Sequence, residues 1–173
     1  MKRRLKVDLA ALEVAFESSD FESTWYLDLE TGKVLLIPEE TASYREELTA
    51  LAEEQGIDFA QAVAQSDLPD WEKEVTLDAD RIEAGFGSRF IAVEQDDSSE
   101  AFRDMEKFAQ SVRNPAIGNR LLNALSGSRP FRRFKDAIGN YPEEEERWYA
   151  FRDERLRSRL LEWLAEEDIE VIE

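Results

Sequence analysis

The sequence predicts an α+β fold, in which a small antiparallel sheet packs with helices and the C-terminal half is helical. Three observations point to this class: a hairpin pattern over residues 24–37, a short β-branched run at residues 90–93, and helical apolar spacing from residue 99 onward. A bare hairpin is not stable in water, so it must pack on helices or pair with more strands. The run at residues 90–93 is the candidate third strand.

The N-terminal part of the chain predicts a helix and then the hairpin. Residues 7–17 carry apolar side chains at helical spacing behind a capping aspartate, Asp8, and residues 18–23 interrupt this helix. Apolar and polar residues then alternate up to a turn that contains Gly32, and residues 34–37 form the return strand. Because glycine adopts positive φ without strain, its place in the turn supports the hairpin.

The middle of the chain predicts two helices. Residues 41–55 have an apolar stripe, Ser43 and Glu46 fit a capping box, and Gly56 is a natural terminator. Residues 57–65 predict a further short helix.

Two further segments introduce the helical C-terminal half. Residues 75–84 fit either a strand at 75–77 or a short helix at 79–83, and the sequence leaves both open. After a polar loop, Ser98 or Ser99 is placed to cap the next helix.

Four helices are predicted beyond that loop. The first ends at Asn114, because the residue before a proline disfavours helical geometry. The second ends at Gly127, Pro130 opens the third, and Pro142 opens a fourth that extends to about Glu167. We expect one domain over residues 1–173, with any subdivision falling between an acidic part at 1–95 and a helical part at 99–173.

Composition excludes several functional classes. The chain has 173 residues, 40 acidic and 22 basic, and a net charge of −18. It contains neither Cys nor His, which excludes disulfides, thiolate or imidazole metal sites, and catalytic triads that use His. There is no secretory signal, and no apolar run approaches the roughly 18 residues that span a bilayer. We therefore expect a soluble, cytoplasmic protein without membrane contact.

Charge is distributed unevenly along the chain. Residues 36–100 hold 18 acids and 4 bases, a balance of −14, whereas residues 129–159 hold 9 bases and 7 acids, a balance of +2. One interpretation is that these basic residues pair with the acidic middle of the same chain. The other is a basic patch for an anionic partner, because local fields can oppose the net charge. The acidic stretch also raises the alternative that it imitates nucleic acid.

The basic segment interleaves arginine with aromatic residues on two predicted helices. Phe131 and Phe134 lie on the first, Trp148 and Phe151 on the second, and a short loop joins them, which predicts an antiparallel helix hairpin. One interpretation is that the rings form a core while the arginines pair with glutamates. The other is a binding face for phosphate or carboxylate groups. Its candidate residues are Arg132, Arg133, Lys135, Trp148, Tyr149 and Arg152.

No catalytic motif accompanies this segment. Nucleotide-binding and hydrolase signatures are absent from the sequence, and the GFGSRF run at residues 85–90 reads as a turn before a strand. We therefore predict a non-enzymatic interaction or regulatory protein without a cofactor, whose contact surface lies on residues 129–159. The alternatives are nucleic-acid or other anionic-ligand binding, which the net charge disfavours, and a metal-dependent hydrolase built on carboxylates such as Asp28, Glu30 and Asp104. A homodimer remains an alternative oligomeric state.

Several sequence features together resemble a known family. They are the hairpin YLDLETG, the helix pattern F-x-x-M-x-x-F that starts at Phe102, the run G-x-x-x-FRRFKD that starts at Gly127, and ERWYxFRD that starts at Glu146. In combination they resemble an uncharacterised bacterial family of the UPF type, from about residue 5 to the C-terminus. That family has no assigned activity, so the resemblance implies a self-contained bacterial domain and assigns no functional residue.

Overall fold

The order of helices and strands follows the hydrophobic patterning of the sequence. A computed structural model describes residues 1–18 and 21–173, so the predicted interruption at residues 18–23 lies partly outside the described residues. Within those ranges there are five strands: β1 Arg3–Leu5, β2 Ser23–Asp28, β3 Val34–Pro38, β4 Phe90–Ala92 and β5 Ile169–Val171. The helices are α1 Leu9–Glu17, α2 Thr41–Gln55, α3 Phe59–Gln65, α4 Asp70–Gly85, α5 Ser98–Ser111, α6 Pro115–Leu125, α7 Pro130–Ile138 and α8 Pro142–Glu166.

The predicted hairpin and its third strand are confirmed. Strands β2 and β3 pair antiparallel, with Trp25 opposite Leu36, and β4 pairs antiparallel with the other edge of β2, with Leu27 opposite Ile91. The strand order is β3-β2-β4. Leu27 is fully buried, as expected for a central strand.

A second, two-stranded sheet joins the two ends of the chain and was not predicted. Strands β1 and β5 pair in parallel, with Arg3 opposite Ile169 and Leu5 opposite Val171. Three-residue strands are too short to show alternation in the sequence, which explains why the pattern missed them.

The chain divides into two compact units. Unit 1 contains residues 1–95 and 164–173, and unit 2 contains residues 96–163. The last ten residues belong to unit 1, whose β1 strand pairs with β5. The single domain predicted from the sequence stays a prediction.

Helix α2 spans the predicted residues, but its start differs from the expected capping box. The residue that precedes it is Glu40, which has helical φ and ψ and makes no side-chain capping bond. Backbone bonds from Ser43 to Glu40 already place Ser43 inside the first turn, so its side chain is in the wrong position to cap. At the other end Gly56 has φ of 68°, which confirms it as the terminator.

The ambiguous stretch at residues 75–84 is helical throughout. It lies inside α4, where the Thr76 hydroxyl donates to the Glu72 carbonyl at 2.7 Å, so the strand alternative is wrong. The bond gives the hydroxyl of the fully buried Thr76 an acceptor within its own helix. Helix α5 is capped by Asp97, which accepts from the backbone N–H of Ser99, and not by a serine side chain.

Unit 2 is built around a cluster of aromatic and aliphatic side chains. The buried members are Phe108, Ala109, Val112, Leu121, Leu125, Phe134, Ile138 and Trp148. They come from α5, α6, α7 and α8. Helix α7 packs mainly against α6 and meets α8 where the ring of Phe134 contacts Trp148.

The hairpin turn in unit 1 depends on Gly32. Its φ is 74°, its N–H donates to the Asp28 carbonyl, and its carbonyl accepts from the N–H of Asp8. A Cβ at this position would overlap the backbone carbonyl oxygen of Lys6. Gly32 is therefore required both by the backbone angle and by the close approach of the N-terminal segment.

An ion pair between a buried carboxylate and a half-buried arginine joins the same turn to Arg89, the residue before β4. Arg89 donates from Nε to Asp28 Oδ1 at 3.1 Å and from Nη2 to Asp28 Oδ2 at 2.8 Å. Asp28 itself is only 5% exposed. The N–H of Glu30 donates to the same carboxylate at 2.9 Å. The Glu30 side chain lies 3.2 Å from Arg89.

These contacts lower the pKa of Asp28. Burial by itself raises that pKa, but the hydrogen bonds from Arg89, the Glu30 backbone and the Thr31 side chain outweigh burial and bring the pKa from 3.8 to about 2. The charged form is therefore favoured in the folded state.

Replacing Gly32 should destabilise the protein more than replacing Gly56, although both have positive φ. Nothing lies within 4 Å of a Cβ at Gly56, so Gly56→Ala should lower the free energy of unfolding by about 1 kcal/mol, from backbone strain alone. For Gly32→Ala the overlap with Lys6 adds about 1–3 kcal/mol. Urea unfolding of both variants measures the difference. Equal losses would show that the Lys6 segment moves aside freely.

The Asp28 carboxylate should make stability depend on pH in acid. Its stabilising effect is complete above pH 3.8 and is lost as the pH falls through about 2, and at neutral pH it amounts to about 2 kcal/mol. The gap in the free energy of unfolding between wild type and Asp28→Asn should therefore be largest above pH 4 and should decrease below pH 3. Urea unfolding at each pH measures this difference, with Glu54→Gln as the control, because Glu54 is exposed and makes no ion pair among the described residues. A gap that does not change with pH would contradict the role of the charge.

Candidate functional site

Helix α7 divides its side chains between a buried face and a basic exposed face. Phe134 and Ile138 are buried, as the spacing predicts, whereas Arg132, Arg133 and Lys135 are exposed. Phe131, predicted to share the apolar face, is 40% exposed. We call the exposed set of Phe131, Arg132, Arg133 and Lys135 the α7 basic surface.

The three cations of the α7 basic surface lack carboxylate partners in the part of the chain that the structure describes. Within residues 1–18 and 21–173, neither Arg132 nor Arg133 nor Lys135 forms an ion pair or side-chain hydrogen bond. The guanidinium of Arg133 lies over Gly127, where a Cβ would overlap its Nη1. It also borders a shallow depression of about 370 Å³ between α6 and α7.

The start of α7 has an unusual backbone. Arg129, just before the helix, has φ of 51° and ψ of 52°, a left-handed conformation uncommon for residues other than glycine. Pro130 follows at the first helical position, where its lack of an N–H has no consequence. Arg129 is exposed beside the α7 basic surface, and the sequence analysis did not select it.

Trp148 belongs to the core and not to an exposed binding face. It is 5% exposed, and its ring makes edge-type contacts with Phe108 at 5.4 Å and with Phe134 at 5.1 Å between centroids. Trp148, one of the candidate residues of the binding face, is therefore not accessible to a ligand, since the packed rings of α5 and α7 cover it. Its neighbour Tyr149 is 45% exposed.

Arg152, the last predicted site residue, is half-buried. Its Nη1 lies 3.9 Å from Asp153 Oδ1, and Arg152 is not a free cation. Arg152 is thus not equivalent to the exposed cations of α7.

Other arginines of α8 are paired within unit 2. Arg147 lies 2.9 Å from Glu144 and 4.8 Å from the centroid of the Phe108 ring. Arg155 and Arg159 reach across to α5, where both contact Asp104, and Arg159 also makes two hydrogen bonds to Asp96. Internal pairing, one of the two interpretations of the basic segment, thus holds for these residues of α8.

Asp104 is the centre of this arrangement. The residue is 2% exposed, its Oδ1 accepts from Arg155 at 3.0 Å, and its Oδ2 accepts from Arg159 at 2.6 Å. Burial lowers the pKa of Arg159, but the hydrogen bonds to Asp96 and Asp104 outweigh it and raise the pKa above its ordinary value. The guanidinium of Arg159 therefore stays charged in the folded protein.

The carboxylates do not assemble a metal site in the part of the chain that the structure describes. No group of three or more acidic side chains there is arranged to hold a metal ion. Two carboxylates considered for such a site, Asp28 and Asp104, are bound to arginines instead. No observation thus favours the hydrolase alternative.

Among the described residues, none of the helices combines the length and the apolar character that crossing a bilayer requires.

Comparison with known proteins places the chain in a family. A family model described as an uncharacterised protein family, UPF0158, matches residues 61–173. The UPF0158 protein PA5073 of Pseudomonas aeruginosa is 29% identical over 168 residues, which cover 97% of this chain and 87% of that protein. No solved structure matches the chain. The resemblance predicted from the sequence is confirmed, and the chain belongs to the uncharacterised protein family UPF0158.

Proposed function

We propose that this protein is a non-enzymatic interaction protein that binds an acidic surface of a partner protein through the α7 basic surface. One observation carries the proposal: in a chain with 40 acids and 22 bases, three neighbouring cations of α7 have no carboxylate partner among the described residues. On α8 of the same unit, by contrast, Arg147, Arg155 and Arg159 each form an ion pair with a carboxylate of that unit.

The composition of the α7 basic surface suits a protein interface. Arginine forms bidentate hydrogen bonds with carboxylates and is enriched among residues that dominate binding energy. Phe131, half-exposed beside the cations, adds an apolar group that a partner can cover. Protein interfaces commonly place apolar residues at the centre and polar or charged residues around them. Phe131 and the neighbouring cations have this arrangement.

A compact acidic partner suits this surface better than a nucleic acid. The protein carries −18, which repels a polyanion at long range. Carboxylates also lie at the edge of this surface. Asp136 is on α7 itself, and Glu145 lies beside Gly139 at the end of that helix. A long polyanion would extend beyond three cations into this negative border, whereas a small acidic patch would not.

Charge reversal on α7 should abolish the interaction without unfolding the protein. In Arg132→Glu/Arg133→Glu the affinity for the partner should fall at least about tenfold. The reason is that repulsion between two carboxylates replaces each attraction between an arginine and a carboxylate of the partner. Affinity capture from a bacterial lysate, with proteins quantified by mass spectrometry, measures the loss. Circular dichroism should show an unchanged fold, since both side chains are exposed and lack partners among the described residues.

A matched control separates the α7 basic surface from net charge. Lys107→Glu/Arg113→Glu makes the same charge change at exposed positions of unit 2 that lie outside α7, and it should retain the partner. If both double variants recover the same proteins as wild type, α7 is not the interface. Two results together would show that the partner is a nucleic acid and not a protein. Nuclease treatment would abolish capture of the partner proteins, and the protein would retain single-stranded RNA or DNA on filters at about 50 mM salt.

A further inference from the structure

Unit 1 contains an open cavity that the α7 basic surface does not use. It has a volume of about 650 Å³ and lies between the β3-β2-β4 sheet, α2 and α4. Its floor is apolar and includes Ile37 of β3 and the buried Ile82 of α4. This volume is large enough for one or two side chains of a bound peptide.

Aromatic rings stand at the opening of the cavity. Phe86, just after α4, is 61% exposed, yet its ring is held edge-on against Tyr26 at 6.3 Å between centroids and 85° between planes. Phe21 also lines the opening and is exposed. Rings that are fixed in position but open to solvent offer π faces to a ligand, and a cation is attracted to such faces.

Carboxylates outnumber cations in the cavity wall. The charged lining residues are Glu22, Glu39, Glu83 and Arg45. Arg45 is already neutralised, because it is paired with Glu83 and lies 3.5 Å from Asp80. Glu39 is exposed at the rim and makes no ion pair within residues 1–18 and 21–173. Most of the lining residues belong to the stretch 36–100, which carries −14, so charged groups near the cavity are mainly acidic.

We propose that this cavity binds a peptide segment of a partner protein in which an arginine or lysine stands next to an apolar side chain. The cation would lie between Glu39 and the rings of Phe86 and Tyr26. The apolar neighbour would fill the floor at Ile37 and Ile82. A guanidinium suits this wall, because one guanidinium, that of Arg45, is already held there between two carboxylates.

Charge and apolar character together select this occupant. An acidic ligand would be repelled by the wall, and a neutral apolar ligand would leave the rim carboxylate without a partner. The site is separate from the proposed function, since it consists of residues of unit 1 alone.

The test uses fluorescence anisotropy of the full chain with a labelled peptide, Gly-Arg-Phe-Arg-Gly. Two control peptides replace both arginines by citrulline, which keeps the shape without the charge, or replace the phenylalanine by glycine. The original peptide should bind saturably. Loss of charge or of the ring should each weaken binding about tenfold, and rising salt should weaken binding of the charged peptides.

Matched variants locate the site. Glu39→Lys should weaken binding of the peptide about tenfold, while Glu54→Lys, the same change at an exposed residue outside the cavity, should not. Phe86→Ala should weaken binding by a similar factor. Trp71→Ala, which removes an exposed ring of α4 outside the cavity, should leave binding unchanged. Arg132→Glu/Arg133→Glu should also bind normally, so failure of the proposed function and failure of this site are distinguishable.

Three results would overturn the proposal. Equal weakening by Glu39→Lys and Glu54→Lys would show attraction to net charge alone, and tight binding of the citrulline peptide would show an apolar site. Self-association in sedimentation velocity that Glu39→Lys and Arg132→Glu/Arg133→Glu each abolish would show that the occupant is a second copy of this chain.

Discussion

A buried carboxylate needs partners that offset the cost of its burial, and among the described residues each unit has one carboxylate that is at least nine-tenths buried and bound by arginine. Asp104 in unit 2 is bound by Arg155 and Arg159, and Asp28 in unit 1 is bound by Arg89. The partners are 51 to 61 residues apart in the sequence. Removing one partner would leave an uncompensated buried charge, so each pair fixes which remote segments must meet. Strand β4 is thus joined to the hairpin turn, and α8 to α5.

This constraint divides the basic residues into two groups. Arginines that serve buried or half-buried carboxylates are committed to the fold and cannot also bind a partner. The cations of α7 lie on a helix whose buried face is purely aromatic and aliphatic, at Phe134 and Ile138. Because that face needs no ion pair to pack, the basic residues on the other face stay open to solvent. The contact surface proposed for this protein thus consists of cations that the ion pairs of the fold do not require.

The sequence predicted local structure well and long-range pairing poorly. Periodicity located the hairpin and α7, and Pro130 marked the start of that helix, because these signals are contained within a few neighbouring residues. The pair of strands at the two ends of the chain and the partner of Asp28 depend on tertiary contacts, which no local pattern encodes. One signal was available: Asp104 precedes Phe108 by one helical turn, so a carboxylate lies on the apolar face of α5 and must be paired when buried. For the same reason, a tryptophan at helical spacing from Phe151 should have been assigned to the core.

Net charge alone does not decide what a protein of this kind binds. At physiological ionic strength the Debye length is about 8 Å, which is shorter than the distance across a small domain. A partner close to α7 therefore meets the local cations more strongly than the total of −18, and a partner at the unit 1 cavity meets carboxylates and rings. Because the two surfaces have opposite sign, they select different molecules. An acidic chain can in this way keep a basic contact surface, provided that the surface is small and that its arginines are not needed to stabilise a buried aspartate.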